Sequence, residues 1–233
     1  MRIVGLEKNS CVDYPEKLSA VIFTPGCNMD CYYCHNRSIL DQRACSEIMQ
    51  GEVIEFLHKR MKMLDAVVIT GGEPTLQYGL RDFICEIKSM GYAVKLDTNG
   101  TRPDVLKDLL SHGYLDHIAM DIKAPLDRYE EICGPGVDIH SIQESVALIL
   151  DLKDTSYEFR TTFIPELLKE DIIQIAKIIA GAKVYSLQQY RKPDKFPGFS
   201  DRRLLKDAHK SDYLRQTADE LRGIFQRVEI RGI

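Results

Sequence analysis

The sequence lacks the features that mark membrane-spanning, secreted or nucleic-acid-binding chains. No apolar run approaches the ~18 residues of a transmembrane helix, and the first ten residues lack the apolar core of a signal peptide. Basic residues are not in excess, since 31 Lys and Arg stand against 35 Asp and Glu, for a net charge of −4. A broad nucleic-acid surface would need the opposite sign. We therefore expect a cytoplasmic chain with reduced thiols, and neither membrane nor nucleic acid as a partner.

The sequence also has no internal repeat, and it alternates short β-branched runs with helical periods. Its 233 residues, 44% of them hydrophobic, are enough for a substantial core. The runs that predict strands are 18–24, 66–70, 93–97, 117–121, 157–163 and 183–187, with a further short run at 228–230. Apolar stripes between and after them predict helices around 80–87, 142–150, 172–180 and 214–225.

This alternation predicts an α/β fold with right-handed crossovers and parallel strands. About six βα units are fewer than the eight of a closed barrel, so an open (βα)6 partial TIM barrel fits, with a curved parallel sheet and outer helices. The periodicity alone equally allows a flat doubly wound sheet. We expect a single domain over 1–233, with an N-terminal extension (1–17), the partial barrel (18–190) and a C-terminal loop and helix (191–233).

Three thiols follow the first strand of this repeat in a Cys-x3-Cys-x2-Cys pattern: Cys27, Cys31 and Cys34. Cysteine thiolates are the usual ligands of iron–sulfur clusters, and a cubane cluster normally takes four of them. Because only three are offered, one iron of such a cluster would lack a protein ligand. An open metal position is where a small molecule binds and reacts.

Three other interpretations of these thiols remain open from their spacing. Structural zinc would need a fourth ligand, for which His35 is available, although the spacing is not that of a zinc ribbon or finger. Residues 31–35 also match the C-x-x-C-H pattern of c-type haem attachment, which belongs to exported proteins. A disulfide framework is typical of small secreted domains and suits an odd count of seven cysteines poorly.

The cysteine loop resembles that of the radical S-adenosylmethionine (SAM) enzymes, and the His35-Asn36 pair after it is similar to the subgroup that activates glycyl radical enzymes. Further matches lie along the chain in the family's order, at 12–15 and 23–28, at 70–74 (similar to the GGEP motif of the radical SAM family), and at 97–100 and 121–125 (similar to two motifs of the activating subgroup). The first two resemble the short activating proteins of anaerobic ribonucleoside-triphosphate reductase. The match departs from the pattern at Glu16, where we expect a glycine.

The resemblance implies one [4Fe–4S] cluster on Cys27, Cys31 and Cys34, with SAM chelated to the iron that lacks a cysteine. An external donor such as flavodoxin or ferredoxin would supply one electron, and SAM would be cleaved to methionine and a 5′-deoxyadenosyl radical. That radical would remove a hydrogen from the Cα of a glycine in a partner enzyme. The resemblance implies that this partner is anaerobic ribonucleotide reductase. The chemistry would lie in the cluster and SAM, with no further catalytic residue.

The motifs fall at the carboxyl ends of the predicted strands, where parallel α/β folds bind ligands. Gly71 and Gly72 suit a close backbone approach, and the resemblance implies that their backbone acceptors and Glu73 take hydrogen bonds from the SAM amino group. The same Gly-Gly pair also fits a simple tight turn between strand and helix. Tyr33 would offer an aromatic face to adenine, or would only pack within the loop.

The remaining candidates are polar residues of the later strand ends and the loop, namely Asp97, Asn99, Asp121, Lys123, Arg160, Gln188 and His35. The two carboxylates and the amide of Asn99 would hydrogen-bond the ribose or hold a hard cation, although capping of the next turn or helix explains them equally well. The two cations would pair with the SAM carboxylate or with substrate. Gln188 is a weaker candidate, and His35 is expected to shape the loop more than to bind metal.

Two further parts of the sequence have weaker signals. The other cysteines, which show no paired spacing and are expected to pack as small hydrophobic side chains, are Cys11, Cys45, Cys85 and Cys133. The irregular segment 191–210 has seven Lys or Arg against three Asp, and it would either help to dock the partner or simply be solvated.

Two rival functions use the same residues. A small-molecule radical SAM enzyme such as a deazapurine synthase shares the size and the cysteine motif, but usually lacks His-Asn after the last cysteine. A zinc or iron–sulfur module that only bridges partners would need the thiols and no SAM.

Overall fold

The computed structural model describes residues 1–41, 46–193 and 199–233. In these residues eight strands form one sheet, and their order in the sheet is their order along the chain. The strands are β1 (Gly5–Ser10), β2 (Ser19–Thr24), β3 (Ala66–Gly71), β4 (Ala93–Thr98), β5 (His117–Asp121), β6 (Ser156–Phe163), β7 (Val184–Gln189) and β8 (Arg227–Arg231). The β1 strand is antiparallel to β2, and every later pair of neighbours is parallel.

Helices fill the connections from β2 to β8 and create six βα units followed by the last strand. They are α1 (Gln50–Arg60), α2 (Leu80–Ser89), α3 (Pro103–Ser111), α4 (Tyr129–Cys133), α5 (Ile139–Leu150), α6 (Lys169–Ile178) and α7 (Ser211–Glu220). A doubly wound sheet reverses its strand order at a switch point, whereas this order never reverses. The open (βα)6 partial barrel predicted from the sequence is therefore confirmed.

The parallel strands are apolar because they are covered on both faces. In β3, Val67, Val68 and Ile69 are all fully buried. The predicted apolar stripe of α2 packs inward, with Phe83, Ile84 and Ile87 buried. Each predicted strand of the repeat agrees with the structure to within two residues at either end. None of the helices in the described parts of the chain has the length and apolar character needed to cross a membrane.

The edges of the sheet differ in detail from the sequence-based expectation. The first residues, expected outside the repeat, contribute β1, in which Gly5 is paired with Phe23 of β2. The last helix ends at Glu220 rather than near Phe225, and Gly223, with φ of 98°, follows it. This early end allows the chain to turn back, so that β8 extends the sheet beside β7. Three helices, α1, α3 and α4, are not among the predicted stripes.

Candidate active site

The carboxyl ends of the strands surround a cavity of about 280 Å³. The structure brings every sequence-predicted binding residue to its wall: Cys27, Cys31, Tyr33, Cys34, His35, Gly71, Gly72, Glu73, Asp97, Asn99, Asp121, Lys123, Arg160 and Gln188. They come from the loop after β2 and from the ends of β3 to β7, because parallel strands present the same end at one edge of a sheet. The cavity is therefore the candidate active site.

The cysteine loop begins directly after β2 and closes on itself through the backbone. The N–H of Gly26 donates to the carbonyl of Ile39 at 2.8 Å. Cys31 is buried, and Cys27 and Cys34 are half-buried. Burial raises the pKa of the Cys27 thiol to about 12 and raises the pKa of Cys34 above its usual value. Binding of a metal cluster would therefore release protons from these thiols.

Asn99 connects the end of β4 to the cysteine loop. Its Nδ2 donates to Oδ1 of Asn28 at 3.0 Å and to Sγ of Cys27 at 3.7 Å. The backbone N–H of Met29 also donates to that sulfur, at 3.4 Å, and donors directed at a sulfur favour its thiolate form. The Oδ1 of Asn99 accepts the N–H of Thr101 at 3.0 Å, so the turn-capping alternative holds for this residue. Its position beside the first thiol was not anticipated from the sequence.

Gly71 and Gly72 lie against the start of the cysteine loop with no space for a side chain. A Cβ on Gly72 would lie 1.8 Å from the carbonyl oxygen of Gly26, and one on Gly71 would lie 2.4 Å from the backbone nitrogen of Thr24. Gly71 also has φ of 118°, a conformation that side chains rarely allow. The glycine pair is therefore required by the packing of the protein itself, beyond any approach of a ligand.

Glu73 is fully buried, and protein donors surround its carboxylate. The Oε1 atom accepts the hydroxyl of Thr75 at 2.6 Å and that of Thr98 at 2.8 Å, and Oε2 accepts the N–H of Asn99 at 2.7 Å. Burial raises the pKa of Glu73, and these donors only partly offset that effect. The carboxylate thus fastens the end of β3 to the end of β4. Its contact with the SAM amino group stays a prediction.

Charged side chains of β4, β5 and β6 form a connected set beside the cavity. Arg160 donates to Asp121 at 2.7 Å and to Asp97 at 3.2 Å, while Lys123 donates to Asp121 at 2.8 Å and Lys95 lies 3.1 Å from Asp97. Burial alone would raise the pKa values of both carboxyls, but Arg160 and the lysines lower them below the usual range. Both aspartates are therefore anionic. Neither of them caps a helix, since the residue preceding α3 is Arg102 and the turn after β5 follows Pro125.

Tyr33 has an unusual environment for a tyrosine. It is buried, its ring lies edge-on to that of Tyr32 with centroids 5.4 Å apart, and its hydroxyl has no hydrogen-bond partner among the described residues. Burial raises the pKa of Tyr33, so the hydroxyl stays protonated. A buried hydroxyl without a partner is uncommon in proteins, and here it lies behind the cavity wall that the Tyr33 side chain helps to form. His35 and Gln188 line the same cavity from the loop and from β7.

Some residues that shape the site were not found from the sequence. Asn36 donates through Nδ2 to the carbonyl of Gly71 at 3.1 Å, which joins the cysteine loop to the glycine turn. Arg37 donates to the carbonyl of Cys31 at 2.9 Å and to Asp30 at 2.7 Å. The His35-Asn36 pair is a signal that could have pointed to Asn36, whereas nothing local marked Arg37.

The remaining cysteines lie in different environments. Cys133, at the end of α4, is buried against Cys31, and the contact between their thiols raises the pKa of Cys133 and lowers that of Cys31. Cys85 is half-buried on α2. The expected packing role is wrong for Cys11, which is exposed because it follows β1 in a surface bend. Cys45 lies outside the described residues.

The chemistry of the lining fits an iron–sulfur cluster with a polar nucleotide beside it. Free thiols line one side of the cavity, and the charged set provides polar contacts. In residues 1–41, 46–193 and 199–233, no group of three or more His, Cys, Asp or Glu side chains is arranged to hold a single metal ion. A cluster does not require such a group, because its thiolates bind separate irons.

Comparison with known proteins agrees with this chemistry. The family model described as the radical SAM superfamily matches residues 21–179. A Methanocaldococcus jannaschii protein with the provisional name glycyl-radical enzyme activating enzyme is 38% identical over 204 residues, which are 83% of this chain and 82% of that protein. The pyruvate formate-lyase 1-activating enzyme of Escherichia coli K12 is 33% identical over 138 residues, or 56% of this chain and 55% of that enzyme.

A solved structure has the same fold. Streptococcus suis SuiB, crystallised with S-adenosylmethionine, superposes with a TM-score of 0.64 at 13% identity, over 91% of this chain and 52% of that one. The open parallel barrel, the three-cysteine loop and the family match together define a radical SAM enzyme. The chain belongs to the radical SAM superfamily and, within it, to the family of glycyl-radical enzyme activating enzymes, which are oxidoreductase-type enzymes.

Proposed function

We propose that this chain holds one [4Fe–4S] cluster on Cys27, Cys31 and Cys34 and binds SAM beside it, in order to generate a glycyl radical on a partner enzyme. When bound, the cluster and SAM supply reductive cleavage to methionine and a 5′-deoxyadenosyl radical, which abstracts the glycine hydrogen. The observation that carries the proposal is that the three thiols share one cavity wall with the Gly71-Gly72 turn. The identity to activating enzymes of this class supports it.

In this proposal the loop residues determine the geometry of the thiols. Asn99 and the backbone of Met29 donate to the sulfur of Cys27, and so favour the anionic form that binds iron. Asn36 and Glu73 hold the glycine turn beside the loop, so that its backbone acceptors reach the amino group of SAM. Tyr33 contributes its ring to the adenine of the nucleoside.

The charged set would orient the rest of SAM. Asp97 and Asp121 are anionic and accept hydrogen bonds from ribose hydroxyls, while Lys123 and Arg160 attract the SAM carboxylate. Each of these four side chains already pairs with one of opposite charge. The charged groups of SAM would therefore replace existing partners, and no unpaired charge would have to be desolvated. Gln188 and His35 complete the wall as weaker contacts.

The partner in this proposal is anaerobic ribonucleoside-triphosphate reductase, and the electron donor is a flavodoxin or ferredoxin. The motifs at 12–15 and 23–28 support that partner, because they are similar to those of its activating proteins. A glycine substrate suits an open barrel, since a chain without a Cβ reaches furthest into a groove. We place the protein in the cytoplasm, where three free thiols stay reduced.

The test is anaerobic purification followed by iron and sulfide analysis, and then SAM cleavage with and without the reductase. We expect about four irons and four sulfides per chain, and a glycyl radical signal in electron paramagnetic resonance only when the reductase is present. The Cys34→Ala variant should lose the cluster, whereas Cys85→Ala, which removes a thiol away from the cavity, should retain it.

Each part of the proposal has an outcome that would reject it. About one zinc per chain with no iron or sulfide would support the bridging module instead. Cleavage of SAM without any glycyl radical on the reductase would reject this partner. Turnover of a purine precursor by the same preparation would favour the small-molecule enzyme.

A further inference from the structure

The segment Phe199–Lys206, named here the strap, lies against the outside of the cysteine loop through two reciprocal contacts. The guanidinium of Arg37, in the loop, lies 3.5 Å from the ring centroid of Phe199, in the strap. The guanidinium of Arg203, in the strap, lies 4.0 Å from the ring centroid of Tyr32, in the loop. Each segment therefore gives one cation and one aromatic ring to the other, an arrangement that fixes their relative position.

Both contacts reach the loop close to the second thiol. Tyr32 directly follows Cys31 and is buried, and Arg37 donates to the backbone carbonyl of Cys31 at 2.9 Å. The side chain of Arg37 is only 14% exposed, and the Phe199 ring covers its guanidinium. A hydrogen bond shielded from water is stronger than an exposed one. The strap thus strengthens a bond that holds the backbone of Cys31.

The strap is itself anchored to the barrel. Arg203 donates to the carbonyl of Glu131, in α4, at 2.6 Å, and its guanidinium is held within the strap by Asp201 at 2.7 Å. Lys206 pairs at 3.1 Å with Glu166, whose side chain is 6% exposed and also accepts the hydroxyl of Tyr32. Two of the basic residues suggested for partner docking are therefore engaged within the protein, while Arg202 is exposed.

We propose that the strap is a positioning clamp for the cluster, in which Arg203 and Phe199 hold Cys31 through Tyr32 and Arg37. This inference rests on the proposed cluster, but not on the identity of the partner. Because the loop carries the cluster ligands, clamp and cluster stabilise each other: a closed strap slows loss of the cluster, and a bound cluster holds the strap closed.

The experiment measures the rate at which a chelator removes iron from the anaerobically purified, cluster-loaded protein, followed by visible absorbance. Arg203→Ala and Phe199→Leu should each lose the cluster about 2- to 30-fold faster, which corresponds to one cation–aromatic contact. Phe199→Tyr, which keeps a ring, should restore the wild-type rate. Arg202→Ala, in the same strap but exposed, should not change it. Equal rates for Arg203→Ala and Arg202→Ala would overturn the clamp.

A second measurement uses the wild-type chain, so that it does not depend on a variant folding. Trypsin cleaves after Arg202, Arg203 and Lys206, and the cluster-loaded protein should be cut in the strap several-fold more slowly than the apoprotein. Equal cutting of the two forms would overturn the proposal. Wild-type protein that binds zinc alone would instead reject the proposed function, and a missing glycyl radical with a protected strap would reject only the activation step.

Discussion

The Nε of Arg160 on β6 donates to Oδ1 of Asp121 on β5 at 2.7 Å, and the two residues are also direct partners in the register of the parallel strands. The ion pair is therefore built by the sheet itself and does not depend on a loop. Since Nη1 of the same guanidinium reaches Asp97 on β4, one cation joins three consecutive strands at the mouth of the barrel. In the proposed function, this junction holds fixed charges beside SAM, which carries a sulfonium cation together with an amino and a carboxylate group.

Replacement of Arg160 should leave two half-buried carboxylates, those of Asp97 and Asp121, without their shared partner. We expect Arg160→Met to lower the free energy of unfolding by about 3–5 kcal/mol, as when one member of a buried pair is removed. Arg160→Lys keeps the charge but cannot bridge two carboxylates, so its loss should be smaller. Urea unfolding measures both, with Arg215→Met, at an exposed position on α7, as the control. Equal midpoints for the two Met variants would contradict the structural role.

Gly72→Ala tests the close approach of the glycine turn to the cysteine loop. Its new Cβ would lie 1.8 Å from the carbonyl oxygen of Gly26, which is backbone and cannot rotate away. We expect a loss of unfolding free energy of about 3 kcal/mol and lower iron content, because the loop must shift. Gly51→Ala is the matched control, since among the described residues no atom beyond its own helical turn and chain neighbours lies within 4 Å of its Cβ, and it should be neutral or slightly stabilising.

Glu16 stands where the resemblance led us to expect glycine, and the structure shows why glycine would suit the position. Its φ is 61°, and no other described residue apart from glycine has a positive φ. A left-handed backbone costs a residue with a side chain about 1–2 kcal/mol. Glycine avoids this cost, but part of the gain is lost because glycine gives up more conformational entropy on folding. Glu16→Gly should therefore raise the urea midpoint, by a net gain of about 0.5–1 kcal/mol. Glu16→Ala keeps the Cβ and should show no gain, so equal gains would refute this account.

Local patterns were sufficient for the parallel strands, although they left a flat doubly wound sheet open, and for most of the residues that line the site. The apolar runs predicted each parallel strand of the repeat, because a strand covered on both faces must be apolar along its length. The thiols and the GGEP motif could be identified because their chemistry depends on short spacing. Strand ends converge by topology, which explains why residues as distant as Cys27 and Gln188 line one cavity.

The connections among these residues could not be predicted, since they depend on the path of the chain in three dimensions. The donors to Glu73 come from Thr75 beside it and from Thr98 and Asn99 at the end of the next strand, and no short spacing in the sequence marks the last two. The charge of the segment 191–210 predicted a solvated or docking loop. Composition could not reveal that Arg203 lies on the ring of Tyr32, because that contact requires two segments far apart in sequence.

His117 provides a prediction of how stability depends on pH. It is buried on β5, with Nδ1 2.8 Å from the hydroxyl of Ser156 and with Nε2 unpartnered among the described residues. Burial, and next the charge of Lys95, lowers its pKa from 6.5 to about 4. Between pH 6.5 and pH 4, His117 is therefore protonated in the unfolded chain but neutral in the folded chain. Its contribution to stability is complete above pH 6.5 and is lost as the pH falls toward 4.

The expected loss across that window is about 2–3 kcal/mol, since each pKa unit corresponds to 1.36 kcal/mol. Urea unfolding of the wild type and of His117→Gln between pH 7 and pH 4 measures it, because glutamine keeps a polar group but does not titrate. Carboxylates contribute to the slope in both proteins, so only the difference between the two curves reports His117. His112→Gln, at an exposed position, is the control and should follow the wild type. A His117→Gln curve parallel to that of the wild type would show that the buried imidazole does not govern acid sensitivity.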